Sequence, residues 1–307
     1  MEFQWPDDSM FSHFTIFQEK FKTVGSVDIN AAIINPKDIT PGSHPVVINL
    51  HGGFLMYGHA LFAPFFAPGA NGVADSLEDL EDFWQWSRNQ LPEILERRAP
   101  GHSFDFTRLL LTGSSAGGYC AVQVALSHSD EVSAMAMAYP FVDPADDVIV
   151  NGPTGTDPNI FRSPFESLPS KEAVMSWIEE QKKTVKVQAG METTPFAVAA
   201  TQYGLLYSHI FDSRNLRRSE FLPLKRLQLG ATLPQNIWIL TGEDDSIVYF
   251  RTIQKFVDLA ERNPVQSTIR LDIAPGEDHA FDLTKTTWEL HAIGAMDFVK
   301  KSWLHSE

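Results

Sequence analysis

"LLLTGSSAGGYCA", residues 109–121, runs from a block of leucines through a glycine-flanked serine pair into small residues. An apolar strand, the pentapeptide Gly113-Ser114-Ser115-Ala116-Gly117 and a helix of small residues together make a G-x-S-x-G turn. A chain that turns this sharply crowds its neighbours unless glycines stand two before and two after the middle position. That position is Ser115, so its hydroxyl is expected at the carboxyl end of the sheet. The helix that follows offers amide hydrogens and a positive dipole end to a developing oxyanion. Ser114 is expected to point elsewhere.

Outward from this turn, short apolar runs closed by glycine or proline read as strands: "HPVVINLHGG" (44–53), "RLLLTG" (108–113), "VSAMAMAYP" (132–140), "NIWILTG" (236–242) and "STIRLDI" (267–273). The first four are apolar nearly throughout, as parallel strands covered on both faces must be. Helical patterns lie between them. Ser76 followed by Asp79 predicts a capping-box start for one helix running through Arg98, with Leu77, Leu80, Phe83, Trp84, Leu91 and Leu95 at helical spacing. Others are expected near 117–128, 247–262 and 287–304, the last with Trp288, Ala292, Met296, Val299 and Trp303 on one face. The alternation predicts an α/β fold with a mostly parallel, doubly wound sheet. Residues 14–36 alternate around Gly25 and predict an antiparallel hairpin on the sheet edge.

From Pro144 to about Lys225 the rhythm breaks. A stretch of this length between two strands predicts an inserted helical lid, dividing the chain into a first core part (1–143), the lid (144–225) and a second core part (226–307). Its aromatic residues favour a folded lid over a disordered loop. Trp177, Tyr203, Tyr207 and Phe211, together with Phe54, are the candidates for a substrate pocket.

A hydroxyl nucleophile needs a base, and the base an orienting acid; in this architecture they follow in the order Ser, Asp, His. Of ten histidines, His279 stands out, because "APGEDHAFD" (274–282) is a polar loop directly after a strand. The acid has three neighbouring candidates in "LTGEDDSIV" (240–248); Asp245 is preferred over Glu243 and Asp244. In "NLHGGF" (49–54), the N–H groups of Gly52 and Gly53 are candidates to join that of Ala116 in an oxyanion hole, with His51 bracing the loop.

With these elements in order, the chain resembles the α/β-hydrolases, and within them the hormone-sensitive-lipase-like carboxylesterases. The segments "HGG", "FTRLLLTGSSAGG", "YPFVDP", "TGEDDSIV" and "GEDHAFD" stand where that family places corresponding ones. The resemblance implies Ser115 as nucleophile, His279 as base, Asp245 as acid, and ester hydrolysis without a cofactor; the first reading of the substrate is a small or medium apolar ester, and no metal site is expected. Many members carry a third glycine after H-G-G, where this chain has Phe54. The same triad also serves acyl transfer on thioesters or lactones, and a non-catalytic receptor on the same scaffold is a further reading.

Composition excludes other classes. A formal net charge of −15 argues against a nucleic-acid partner, and "NLRRSEFLPLKR" (215–226) reads as a solvated helix face. Cys120, the single cysteine, leaves no intrachain disulfide and no cysteine-rich metal site. No run approaches the ~18 apolar residues of a membrane span, and the first residues lack a secretory signal pattern, so a cytoplasmic location is expected.

Overall fold

The leucine block forms a strand whose successive side chains enter two different cores. Leu109 and Leu111 of β4 (His102–Ser114) pack on one face of the sheet and Leu110 on the other. An unbroken apolar run is therefore required, because both faces are covered. The computed structural model describes residues 11–55, 72–181, 193–211, 219–263, 265, 267–283 and 288–304.

Within them, β3 (Gly42–Leu50), β4, β5 (Ala134–Ala138), β6 (Asn236–Gly242) and β7 (Thr268–Ala274) form a parallel sheet in that order. Register sets Leu50 against Gly113, Gly113 against Met137, Ala138 against Leu240 and Gly242 against Ala274. The carboxyl ends of the strands are thus level, and the loops that leave them meet at one edge of the sheet.

One face carries α1 (Val73–Asn89), α3 (Ala116–Ser127) and α8 (Phe250–Glu261), whose Trp84, Ala121 and Phe256 share a core with Leu109, Leu111, Met135 and Ile237. The other face carries α9 (Trp288–Trp303), with Ala295 and Val299 against Leu110, Trp238 and Leu240. Side chains such as Trp84 and Phe256, almost wholly buried, each contribute roughly 1.5–3 kcal/mol. The predicted face of the last helix holds at Met296, Val299 and Trp303, whose indole N–H donates to the Arg108 carbonyl at 2.9 Å. The side chains of Trp288 and Ala292 lie outside the described residues.

Three expectations need correction. The hairpin β1 (Phe14–Val24) and β2 (Val27–Pro36) is a separate two-stranded sheet, not an edge of the main one. It docks on α1 instead: Phe21 meets Phe83 and Trp86 at 5.5 and 6.0 Å, and Lys22 pairs with Asp79 and Asp82. That ion pair also explains why Ser76 and Asp79 make no capping box. The helix begins a turn earlier, at a fully buried Val73, and Asp79 faces the hairpin. The long helix expected through Arg98 is two, because Pro92 cannot donate within a helix interior and instead opens α2 (Leu91–Arg98).

Between β5 and β6 lie α4 (Asp147–Asn151), α5 (Lys171–Gln181), α6 (Thr194–Gln202) and α7 (Pro223–Gln228), with single turns at Ile160–Arg162 and Phe165–Ser167. Residues 182–192 and 212–218 of the predicted lid, and thus the first part of the basic stretch, lie outside the described residues. Arg226 is not a solvated side chain: it donates to Gln123 Oε1 at 2.6 Å and to Ser127 Oγ at 3.0 Å, tying α7 to α3.

Candidate active site

The turn between β4 and α3 is built by close approach. A Cβ on Gly113 would meet the Gly117 carbonyl, and one on Gly117 would meet the carbonyls of Leu50 and His51, so α3 lies against the end of β3. Ser115 takes the strain, with φ 53° and ψ −122°, a conformation costing on the order of 1–3 kcal/mol that persists only where surroundings enforce it. They do: Ser115 N–H donates to Ala138 of β5 at 3.0 Å, while its carbonyl accepts from Gly118 and Phe141, both at 2.9 Å. Ala116 is the first residue of α3, so its N–H belongs to the unpaired first turn.

Two further loops meet this one. His279, after β7, has its Nε2 3.0 Å from Ser115 Oγ and its Nδ1 2.8 Å from Asp245 Oδ2. A carboxylate only accepts, so Nδ1 carries the hydrogen and Nε2 of the neutral ring is free to accept from the serine. Asp245, after β6, is buried, and its second oxygen accepts from the N–H groups of Ile247 and Val248 at 2.9 and 2.8 Å. Glu243 and Asp244 are exposed. Ser115, Asp245 and His279 are therefore brought together.

The neighbouring Asp278 stitches the acid and base loops. Its Oδ1 accepts from the Ser246 N–H at 2.7 Å, the Ser246 hydroxyl at 2.8 Å and the His279 N–H at 2.7 Å. Burial alone would raise its carboxyl, but these bonds and the Arg162 guanidinium outweigh it and hold the group below the usual carboxylate range. Arg162 donates to Asp278 Oδ2 at 3.0 Å and to the Asp244 carbonyl at 2.9 Å. It follows Phe161, and both have positive φ, 49° and 53°. The latch so formed lays the Phe161 ring 5.9 Å from His279 and 5.9 Å from Phe54. On its other side the imidazole meets Tyr139 at 4.5 Å, whose hydroxyl donates to Asp282 at 2.6 Å.

In the loop after β3, His51 Nδ1 donates to the Gly52 carbonyl at 2.6 Å, and Gly53, Phe54 and Leu55 all have positive φ. The position where Phe54 replaces a third glycine is thus one that glycine would occupy without strain. Phe54 also walls a cavity of about 20 Å³ that opens on Ser115 and Ala116. The other aromatic candidates do not line it. Trp177 stacks on Phe196, Tyr203 donates to the Pro169 carbonyl, and Tyr207 stacks on a fully buried Phe211, which backs Phe141. The same segment supplies smaller side chains instead, Ile149, Thr201 and Leu206.

Sequence reasoning missed Asp278, Asp282, Tyr139 and Arg162, and took Phe161 only as one of the aromatic residues of the lid. The carboxylates directly before and three residues after His279 were a visible signal; nothing local marks Arg162, which meets Asp278 from 116 positions away. Among the described residues, no three His, Cys, Asp or Glu side chains converge as metal ligands, and no helix is long and apolar enough to cross a membrane.

This arrangement of strands and helices recurs in proteins of known structure. The chain superposes on one of two fungal esterases from Rhizomucor miehei with a TM-score of 0.60 at 16% identity, covering 94% of this chain and 83% of that one. The chain has the α/β-hydrolase fold. Relatives of the chain include a probable carboxylesterase, M8, of a Phoma species, 25% identical and covering 97% of this chain and 99% of the relative. A second, the probable carboxylesterase clz11 of Cochliobolus lunatus, is 29% identical over 61% of this chain and 83% of its own length. No family model matches the sequence.

Proposed function

We propose that the protein hydrolyses a carboxylic ester of a small or medium apolar substrate through a Ser115–His279–Asp245 triad and an acyl-enzyme. The observation that carries this reading is the continuous hydrogen-bonded line from Ser115 Oγ through both ring nitrogens of His279 to buried Asp245. The coarse activity agrees with the names of the two relatives.

His279 Nε2 takes the Ser115 proton as Oγ attacks the ester carbonyl carbon, and Asp245 holds the ring in the required tautomer and balances its transient positive charge. The N–H of Ala116, with those of Gly52 and Gly53, faces the negative charge that develops on the carbonyl oxygen. His279 then returns the proton to the leaving alcohol. In the second half water attacks the acyl-enzyme, its proton passing through His279 back to Ser115 as the acid departs.

Steady-state hydrolysis of p-nitrophenyl acetate tests the roles. Ser115→Ala is expected to lower kcat by up to ~10⁶, and Asp245→Asn by far more than Asp244→Asn, while Ser114→Ala keeps most of it. Equal losses for the two aspartates would remove Asp245 from the mechanism. A thioester or lactone cleaved in preference to every oxygen ester would move the substrate class to the acyl-transfer reading.

A further inference from the structure

The loop after β6 carries Asp245 and the loop after β7 carries His279. At the strand ends their backbones join, the Asp244 N–H donating to the Glu277 carbonyl at 3.0 Å. Around the two side chains themselves the joining is done by other side chains. Asp278 accepts from the Ser246 and His279 N–H groups, and Arg162 donates to Asp278 Oδ2 at 3.0 Å and to the Asp244 carbonyl at 2.9 Å. Arg162 therefore binds the residue before the acid and the residue before the base. Its donors leave a planar guanidinium in a rigid fork, so one group sets the spacing of both loops.

The arginine itself does not come from the sheet ends. It stands in the turn Ile160–Arg162, within the segment between β5 and β6. That turn is anchored on α6, where Gln202 Oε1 accepts from the Ile160 N–H at 2.9 Å, and Ile160 has no exposure at all. Phe161 and Arg162 both take the left-handed backbone that non-glycine residues rarely adopt. Such a conformation persists only where its surroundings enforce it. The Arg162 side chain is 52% exposed, and an ion pair this open to water adds little to stability. What the strained turn gains is the placement of the guanidinium across the two loops.

We infer that Arg162 is a positioning residue: docking of its turn sets the spacing of the acid and base loops, so proton transfer between Ser115 and His279 depends on how this segment sits. The inference rests on the proposed triad. Arg162 bonds to none of the reacting groups and acts through Asp244 and Asp278. A misplacement of about 1 Å between catalytic groups can cost ~10²-fold in rate.

The test combines steady-state hydrolysis of p-nitrophenyl acetate, the rate at which a small fluorophosphonate labels Ser115, and thermal unfolding. Arg162→Gln is expected to lower kcat at least ~10-fold and the labelling rate by a similar factor, with KM within ~3-fold and the midpoint within about 3 °C of wild type. Arg162→Lys keeps the charge without the fork and is expected to recover part of kcat. The double variant Arg162→Gln with Asp278→Asn is expected to be no slower than Asp278→Asn alone, because either change opens the same contact. Arg251→Gln serves as comparison: its ion pairs go to Asp146 and Asp157, and its labelling rate is expected within ~2-fold of wild type. Labelling of Arg162→Gln at the wild-type rate overturns the inference and leaves the triad standing. So does an equal loss in Arg251→Gln, which would make the effect one of general stability, and so do losses that multiply in the double variant. If wild-type Ser115 takes no label, the triad reading fails and the inference with it.

Discussion

At Gly117 a single hydrogen atom decides whether the nucleophile can be presented at all. Any Cβ there would meet the backbone carbonyls of Leu50 and His51, and backbone at the end of a sheet strand cannot swing aside as a flexible side chain would. Gly117→Ala is therefore expected to cost about 3 kcal/mol, the upper end of ordinary overpacking, and to take Ser115 out of line with His279. Urea unfolding together with phosphonate reactivity checks this; an unchanged midpoint with full reactivity would mean that the turn is slack. Ser115 was legible because the rule that protects it is written locally, two glycines at fixed offsets. Asp245 was legible less directly, since three acids stand together and only burial and the bond to His279 separate it from Asp244. Phe54 marks the opposite case. Its left-handed backbone, φ 56°, is the local correlate of the missing third glycine, and its place on the wall of the cavity beside Ser115 could not be read from spacing alone.

The elements around the site are fastened by carboxylates that act between distant segments. Asp146, at the start of α4, accepts from Arg251 at 2.7 Å and Lys255 at 3.1 Å on α8, and Asp278 accepts from Arg162. Burial alone would raise Asp146, but its pairing with Arg251 and Lys255 and the Val148 N–H hold it, like Asp278, below the usual range. A carboxyl whose folded value is lowered binds fewer protons folded than unfolded, so its stabilisation is complete above the unfolded value of about 4 and is lost as pH falls through the lower folded one. Thermal unfolding followed from pH 6 downward is expected to show the midpoint dropping below pH about 4, less steeply in the double variant Asp146→Asn with Asp278→Asn. Equal slopes for both proteins would remove these two groups from the acid response. None of these ties was legible beforehand. The strands and helices announce themselves by period, whereas Arg162–Asp278 and Lys22–Asp79 join positions that only the finished fold makes neighbours.

Across the whole molecule, the five-stranded sheet was legible because both of its faces are covered and its strands need little beyond apolar runs closed by glycine or proline. The hairpin was legible as a hairpin but not in its place, since its alternation fixes a buried face without naming what covers it; α1 does so through Phe83 and Trp86. The interruption after β5 was likewise visible as a length, while the contribution of Ile149 and Leu206 to the cavity beside Ser115, in place of the larger aromatic residues, depended on how the segment folds back. What the sheet accomplishes is convergence: residues 115, 245 and 279 leave three strands of level register and meet within hydrogen-bond reach. If this meeting activates Ser115 and no other hydroxyl, treating the native protein with a small fluorophosphonate and mapping the adduct by peptide mass spectrometry reveals it. One adduct per chain is expected, on Ser115, formed in step with the loss of ester hydrolysis and abolished by His279→Ala. An adduct on Ser114 or elsewhere, or full esterase activity after Ser115 has been completely modified, would remove Ser115 as the activated hydroxyl.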